Sequence, residues 1–125
     1  MIHHVSLGTN DIQRARRFYE PLLDLLGLRL LNIDEEGVHF GTGDVFFSVV
    51  VPTDGQPASG GNGTHVAFLA RNREMVAKFH QLAMQHGGRS DGDAGIRAQY
   101  GKNYFGAFVF DPDGNKIEAV THSAE

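Results

Sequence analysis

The sequence predicts an α+β fold of two tandem βαβββ modules, and three observations lead there. Residues of one half recur in the other at a constant spacing of 61: His4-Val5 with His65-Val66, Phe18 with Phe79, and Gly27 with Gly88. Each half holds one stretch of helical periodicity among short apolar runs of strand character. Glycine supplies 16 of 125 residues, nearly twice the ~7% of an average protein, which favours many tight turns over long helices. Weak internal symmetry of this kind marks a duplicated unit with equivalent positions on its halves.

The elements follow in chain order. Ile2 to Leu7 reads as a strand with one apolar face, and Asn10 or Asp11 supplies a helix N-cap. Ile12, Ala15, Phe18, Tyr19, Leu22, Leu23 and Leu26 then recur at helical spacing, with Arg14, Arg17, Glu20 and Asp24 on the wet side, until Gly27 ends the run. Pro21 lacks a donor for the helix ladder and predicts a bend or a shift in hydrogen bonding. Leu28 to Ile33, Val38 to Phe40 and Val45 to Val51 are three short strands separated by Asp34-Glu35-Glu36-Gly37 and Gly41-Thr42-Gly43-Asp44. Residues 52–63 hold four Gly and two Pro and predict a flexible connection.

The second half repeats the order. Thr64 to Ala70 is a strand, and Met75, Val76, Phe79, Leu82, Ala83 and His86 form one face of a helix that Gly87-Gly88 terminates. Arg89 to Asn103 is polar and Gly-rich, with a weak strand around Ile96 to Gln99. Tyr104 to Phe110 and Lys116 to Thr121 are strands joined by Asp111-Pro112-Asp113-Gly114, whose Pro and Gly suit a hairpin turn with its acidic pair in water. Residues 1–125 are thus expected as one domain, with module one at about 1–51, the linker at 52–63 and module two at 64–125.

Composition narrows the function. A formal charge of -4 without a Lys/Arg-dense stretch argues against nucleic acid or an anionic membrane as partner and leaves a small molecule. With no cysteine, any metal must be held by nitrogen and oxygen. No run approaches the ~18 apolar residues of a membrane span, and the N-terminus lacks a basic-then-apolar leader, so a cytoplasmic protein is the expectation.

Two histidines at equivalent positions suggest a metal. Aligning Val45-Phe46-Phe47-Ser48 with Asn115-Lys116-Ile117-Glu118 sets Ser48 opposite Glu118, so His4, His65 and Glu118 fall on three strands. Glu118, among Ile117, Ala119 and Val120, is a carboxylate in apolar company and needs a partner. His3 should point away from His4 on a strand. His39, His80, His86 and His122 fall outside the repeat and read as surface or helix-face residues. The offset from Ser48 to Glu118 is 70, so module two carries nine extra residues, placed in Gly92 to Tyr104. Arg97, Tyr100, Lys102, Asn103 and Tyr104 make that segment a substrate-facing loop.

His-Val-Ser-Leu at 4–7, Asp11, Phe18-Tyr19, Leu26-Gly27, His65-Val66-Ala67-Phe68, and Phe110-Asp111-Pro112-Asp113-Gly114-Asn115 followed by Ile117-Glu118-Ala119 together resemble the vicinal oxygen chelate superfamily. That superfamily includes glyoxalases, bleomycin resistance proteins and extradiol dioxygenases. The resemblance implies an open, cupped mixed sheet, a homodimer, and a divalent metal (Zn, Ni, Mn or Fe) on His4, His65 and Glu118. Ser48 departs from the glyoxalase I pattern, in which this position carries a carboxylate or amide, and it could not serve as base unaided.

A two-histidine, one-glutamate site leaves about three of six octahedral positions for a substrate with vicinal oxygens. The expectation is a metal-dependent glyoxalase or dioxygenase-type enzyme using Lewis acid activation. Glu118, Tyr100 and Arg97 are the catalytic candidates, and Ser48, Lys102, Asn103 and Tyr104 the substrate-binding ones. The alternatives are a metal-free binding protein like those of bleomycin resistance and, third, a thiol transferase like those of fosfomycin resistance.

Overall fold

The computed structural model describes residues 1–125 as eight strands and two helices. Module one runs β1 (Val5–Gly8), α1 (Ile12–Leu25), β2 (Arg29–Ile33), β3 (Gly37–Gly41) and β4 (Val45–Val50). Module two runs β5 (His65–Leu69), α2 (Arg73–Gln85), β6 (Arg89–Ile96), β7 (Phe105–Phe110) and β8 (Lys116–Thr121). Each module forms its own four-stranded open sheet, ordered β1-β4-β3-β2 and β5-β8-β7-β6, whose first pair is parallel and the others antiparallel. The paired βαβββ expectation holds.

Local signals place the helices. The Asp11 carboxylate accepts from the Arg14 backbone N–H, and the Asn72 side chain accepts from that of Met75, so each helix starts on a side-chain cap. Each ends before a glycine in the left-handed region, Gly27 at φ 89° and Gly87 at φ 98°. The first helix runs through Pro21 unbroken. No helix is long and apolar enough to cross a membrane.

Alternation along the strands divides the sheets into a helix-facing side and an open side. Val38, Phe40, Phe47, Val49, Phe68, Ala107, Val109, Ile117 and Ala119 lie on the helix-facing side and join Phe18, Tyr19, Leu22, Leu23, Val76 and Phe79 in one core cluster drawn from both modules. The residues between them, His39 and Ser48 in module one and Phe108 and Glu118 in module two, therefore share the open faces.

Residues 89–103 depart from expectation. The strand covers Arg89–Ile96, before the weak apolar run, and Ala98–Tyr100 forms a 3₁₀ turn. This is an edge strand with irregular pairing between Ser90 and Gly95, so no regular apolar alternation marks it. The connection at 52–63 is also tied down: Asn10 donates to the Ala58 carbonyl at 3.1 Å and accepts from its N–H at 2.7 Å.

The Asp-Pro-Asp-Gly turn also departs from expectation, because its acidic pair is not in water. Asp111 is 4% exposed and the Asp113 side chain 1%. Asp113 accepts from the Thr9 hydroxyl (2.6 Å), the Asn10 N–H (2.9 Å) and Arg14 (2.5 Å), all in module one. Asp111 accepts from the Tyr19 hydroxyl at 2.5 Å and from the Asn115 side chain at 2.9 Å, and Asn115 also donates to the Gly8 carbonyl. The turn of one module is thereby the cap over the strand–helix junction of the other.

Burial pushes the Asp111 carboxyl above its ordinary value, outweighing hydrogen bonds from Tyr19 and Asn115 that act the other way. The folded chain thus holds this proton more tightly than the unfolded chain. The group's contribution is fully present below the unfolded value and is lost as pH rises through the folded one. Asp111→Asn cannot titrate, so its stability deficit against the wild type is expected to be smaller at pH 7 than at pH 4. Urea unfolding at both values checks this, and a deficit that grows with pH would show that hydrogen bonding rather than burial governs the carboxyl.

Candidate functional site

The site is built on the open face of module two. Glu118 on β8 is 1% exposed, with Ala67 of β5 and Phe108 of β7 as its cross-strand partners. Its Oε1 lies 3.2 Å from Nε2 of His65, and its Oε2 accepts from the Tyr104 hydroxyl at 2.5 Å. The carboxylate has the partners its burial demands. A Cβ at position 106 would stand 2.9 Å from Oε2 and 3.3 Å from the Tyr104 ring, so glycine there leaves room for the carboxylate.

Burial, and then the hydrogen bond to Glu118, push the Tyr104 phenol up to about 12. It remains a donor throughout the neutral range and holds one carboxylate oxygen while the other faces His65. The Tyr104 ring packs edge-on against His122 at 5.3 Å and lies 5.2 Å from the Tyr100 ring. The His65 side chain is 44% exposed, so one end of the pair is open to a ligand.

Module one carries the equivalent position differently. Its parallel pair sets Ser6 against Ser48 as the other sets Ala67 against Glu118, so the register relates His4 to Ser48 as it relates His65 to Glu118. Ser48 is 4% exposed, and its Oγ is 2.8 Å from Nδ1 of His39; Nε2 of the same ring is 3.3 Å from Asp34 Oδ1. His39 is therefore not a surface residue but a half-buried member of the open face. Its place between the inward Val38 and Phe40 was the signal that could have identified it.

His4 does not join His65 and Glu118. It is exposed, and its Nδ1 lies 2.9 Å from Nδ1 of His3, whose Nε2 contacts Asp44 at 2.9 Å. The strand begins only at Val5, so the two histidines are not held on opposite faces. No three His, Cys, Asp or Glu side chains of the chain stand close enough to hold a metal ion. The chain thus assembles a nitrogen and a carboxylate oxygen, a donor pair fit for a divalent cation but short of the three-ligand set.

The remaining candidates fall around this pair unevenly. Arg97 donates to the Asp93 carbonyl at 2.7 Å and lies over the Phe108 ring at 5.4 Å, with Lys116 against that ring at 5.1 Å. Tyr100 is 60% exposed. Lys102 is exposed and Asn103 half-buried in the loop between Tyr100 and Tyr104.

A cleft of about 540 Å³ adjoins His65, and ten of its eleven lining residues are hydrophobic, among them Ile2, Phe46, Phe47, Phe68 and Leu69. A larger hollow of about 760 Å³ lies away from these residues, between Arg16, Arg17, Arg29 and His86 and the acids Glu20 and Asp24. Its width and mixed charge offer no convergent chemistry, and the apolar cleft is the better candidate for a ligand.

The sequence model of the Glyoxalase/Bleomycin resistance protein/Dioxygenase superfamily matches residues 1–119. The chain belongs to that superfamily. A glyoxalase/bleomycin resistance protein from Albidiferax ferrireducens is 32% identical and superimposes with a TM-score of 0.85 over 96% of this chain and 97% of that one. A glyoxalase-related enzyme from Fulvimarina pelagi is 20% identical, with a TM-score of 0.75 over 96% and 86%. A glyoxalase/bleomycin resistance protein/dioxygenase family enzyme from Burkholderia phytofirmans is 17% identical, at 0.73 over 94% and 95%. The latter two likenesses are of fold alone. A search among curated proteins matches none of them.

Proposed function

We propose that this chain is a metal-dependent enzyme of the glyoxalase and dioxygenase type, acting on a small substrate with vicinal oxygens, whose site is shared between two copies. The observation that carries this is the contact between His65 and the fully buried Glu118, which leaves a donor pair on an open face beside an apolar cleft. His4 of a second copy would supply the third ligand. Support for a second copy comes from β1 and β5, both edge strands, and from Ile2, Phe46 and Leu69 nearby, which are 74%, 47% and 75% exposed.

A divalent cation bound there supplies Lewis-acid polarisation of a substrate oxygen. The chain's own residues do the rest. Tyr104 fixes the Glu118 carboxylate by holding Oε2, Phe46 and Phe68 exclude water from the cleft, and Arg97 and Lys116 place positive charge beside Phe108. Full-length protein dialysed against zinc and assayed by elemental analysis is expected to retain one zinc per chain. His4→Ala and Glu118→Ala are each expected to lose affinity at least ~100-fold, and sedimentation should give a dimer. Equal zinc in all three proteins would sink the metal reading. A monomer that binds zinc tightly would sink the shared site.

The same cleft favours one other reading, a metal-free binder of an apolar small molecule. Stabilisation of the chelator-treated protein by an aromatic compound, with no zinc uptake, would decide for it.

A further inference from the structure

The open face of module one holds a group of residues that the metal reading leaves unused. Asp34 Oδ1 accepts from the backbone N–H groups of Glu36 (2.9 Å) and Gly37 (3.1 Å), and Oδ2 accepts from the Asn32 side chain at 3.2 Å, so the carboxylate is fixed at the turn into β3. Its Oδ1 faces Nε2 of His39, whose other nitrogen faces the Ser48 hydroxyl. An ionised carboxylate only accepts, so the neutral ring carries its hydrogen on Nε2, Nδ1 is the acceptor, and Ser48 donates to it. The lone pairs of Ser48 are left to receive a proton from elsewhere. Contact with His39 is the main cause holding the Asp34 carboxyl below its ordinary value, which agrees with this arrangement.

Position matters as much as chemistry. Ser48 occupies the module-one equivalent of Glu118, in the same register relation to His4 as Glu118 to His65. Serine alone is too weak a base to take a proton from carbon, but a serine that passes its own proton to a carboxylate-held imidazole is not alone.

We propose that Ser48, His39 and Asp34 form a proton relay that supplies the base of the reaction from module one. This rests on the proposed function, in which a second copy brings module one to face His65 and Glu118. The C–H bond beside the substrate carbonyl breaks, and its proton goes to Ser48 Oγ as the hydroxyl proton moves to His39 Nδ1. The electron pair stays on the carbon and the adjoining oxygen. Return of the proton by the same path restores all three residues. Ser48 is the catalytic residue here, His39 stores the proton, and Asp34 positions the ring and offsets its positive charge.

Two measurements on the full chain test the relay. Hydroxyacetone, the probe, is incubated in D2O with zinc-loaded protein, and deuterium at carbon is read by mass spectrometry. Exchange is expected to fall ~100-fold or more in His39→Gln and Ser48→Ala, with zinc uptake unchanged. Zinc-loaded wild type that does not exchange, or a His39→Gln variant that exchanges equally well, overturns the relay while leaving the metal reading intact. The ring nitrogens of His39 are also read by NMR in metal-free protein, where Nε2–H with an accepting Nδ1 is expected and Ser48→Ala should shift the Nδ1 resonance. A proton on Nδ1 overturns the relay even if the chain binds no zinc, an outcome that would separately end the metal reading.

Discussion

Asp113→Ala is expected to destabilise the protein by about 3 kcal/mol, because it removes the buried member of a charge pair and strands its donors. The lost carboxylate accepts from the Thr9 hydroxyl, the Asn10 N–H and the Arg14 guanidinium, and its side chain is 1% exposed. Arg14 already has a buried Nε without a partner, so the variant deepens an existing deficit. Because the Arg14 side chain is 39% exposed, water recovers part of the loss. Urea unfolding should show a lower midpoint with an unchanged slope. Asp91→Ala, which breaks the more exposed pair with Lys116, is the control and should cost no more than ~0.5 kcal/mol. Equal effects of the two variants would return the turn to the solvated role its composition suggests.

Phe47→Ala should be costlier still, at about 4 kcal/mol. Its ring is 0% exposed and lies 5.1 Å from Phe68 in an edge-to-face contact, 5.2 Å from Tyr19 and 6.4 Å from Phe40. The Phe68 contact joins β4 of one module to β5 of the other, so the cavity would open where the halves meet. Phe46 is the neighbouring residue on the opposite face and is 47% exposed. Phe46→Ala should cost under ~1 kcal/mol, and calorimetry of the pair separates a buried ring from a half-exposed one.

The fold was legible because duplication, helical period and glycine punctuation all act through local sequence. His4-Val5 and His65-Val66 announced the repeat, and Asp11 and Gly27 bounded the first helix within a residue or two. The edge strand Arg89–Ile96 was not legible: its irregular pairing with β7 leaves no apolar alternation to read. Of the candidate site, the repeat pointed to His65 and the apolar setting of its strand to Glu118, whereas Tyr104, expected to meet substrate, instead donates to the Glu118 carboxylate. His39 could not be found from the repeat, because its register partner across the modules is absent: the position facing Ser48 holds histidine and that facing Glu118 holds phenylalanine. Asp113 was misread because nothing in a turn motif reveals which distant Thr and Arg will close over it.

The Asp113 clamp also bears on how such a chain can change over time. Module one's turn at Gly41–Asp44 makes no comparable contact with the second half; Asp44 meets His3 instead. The two halves of the duplication have therefore ceased to be interchangeable. A lone first half would expose Thr9, Arg14 and Tyr19 without the acids that complete them, so dividing the chain at the linker leaves neither half whole. What began as repetition has become mutual dependence, enforced by two aspartates in a four-residue turn.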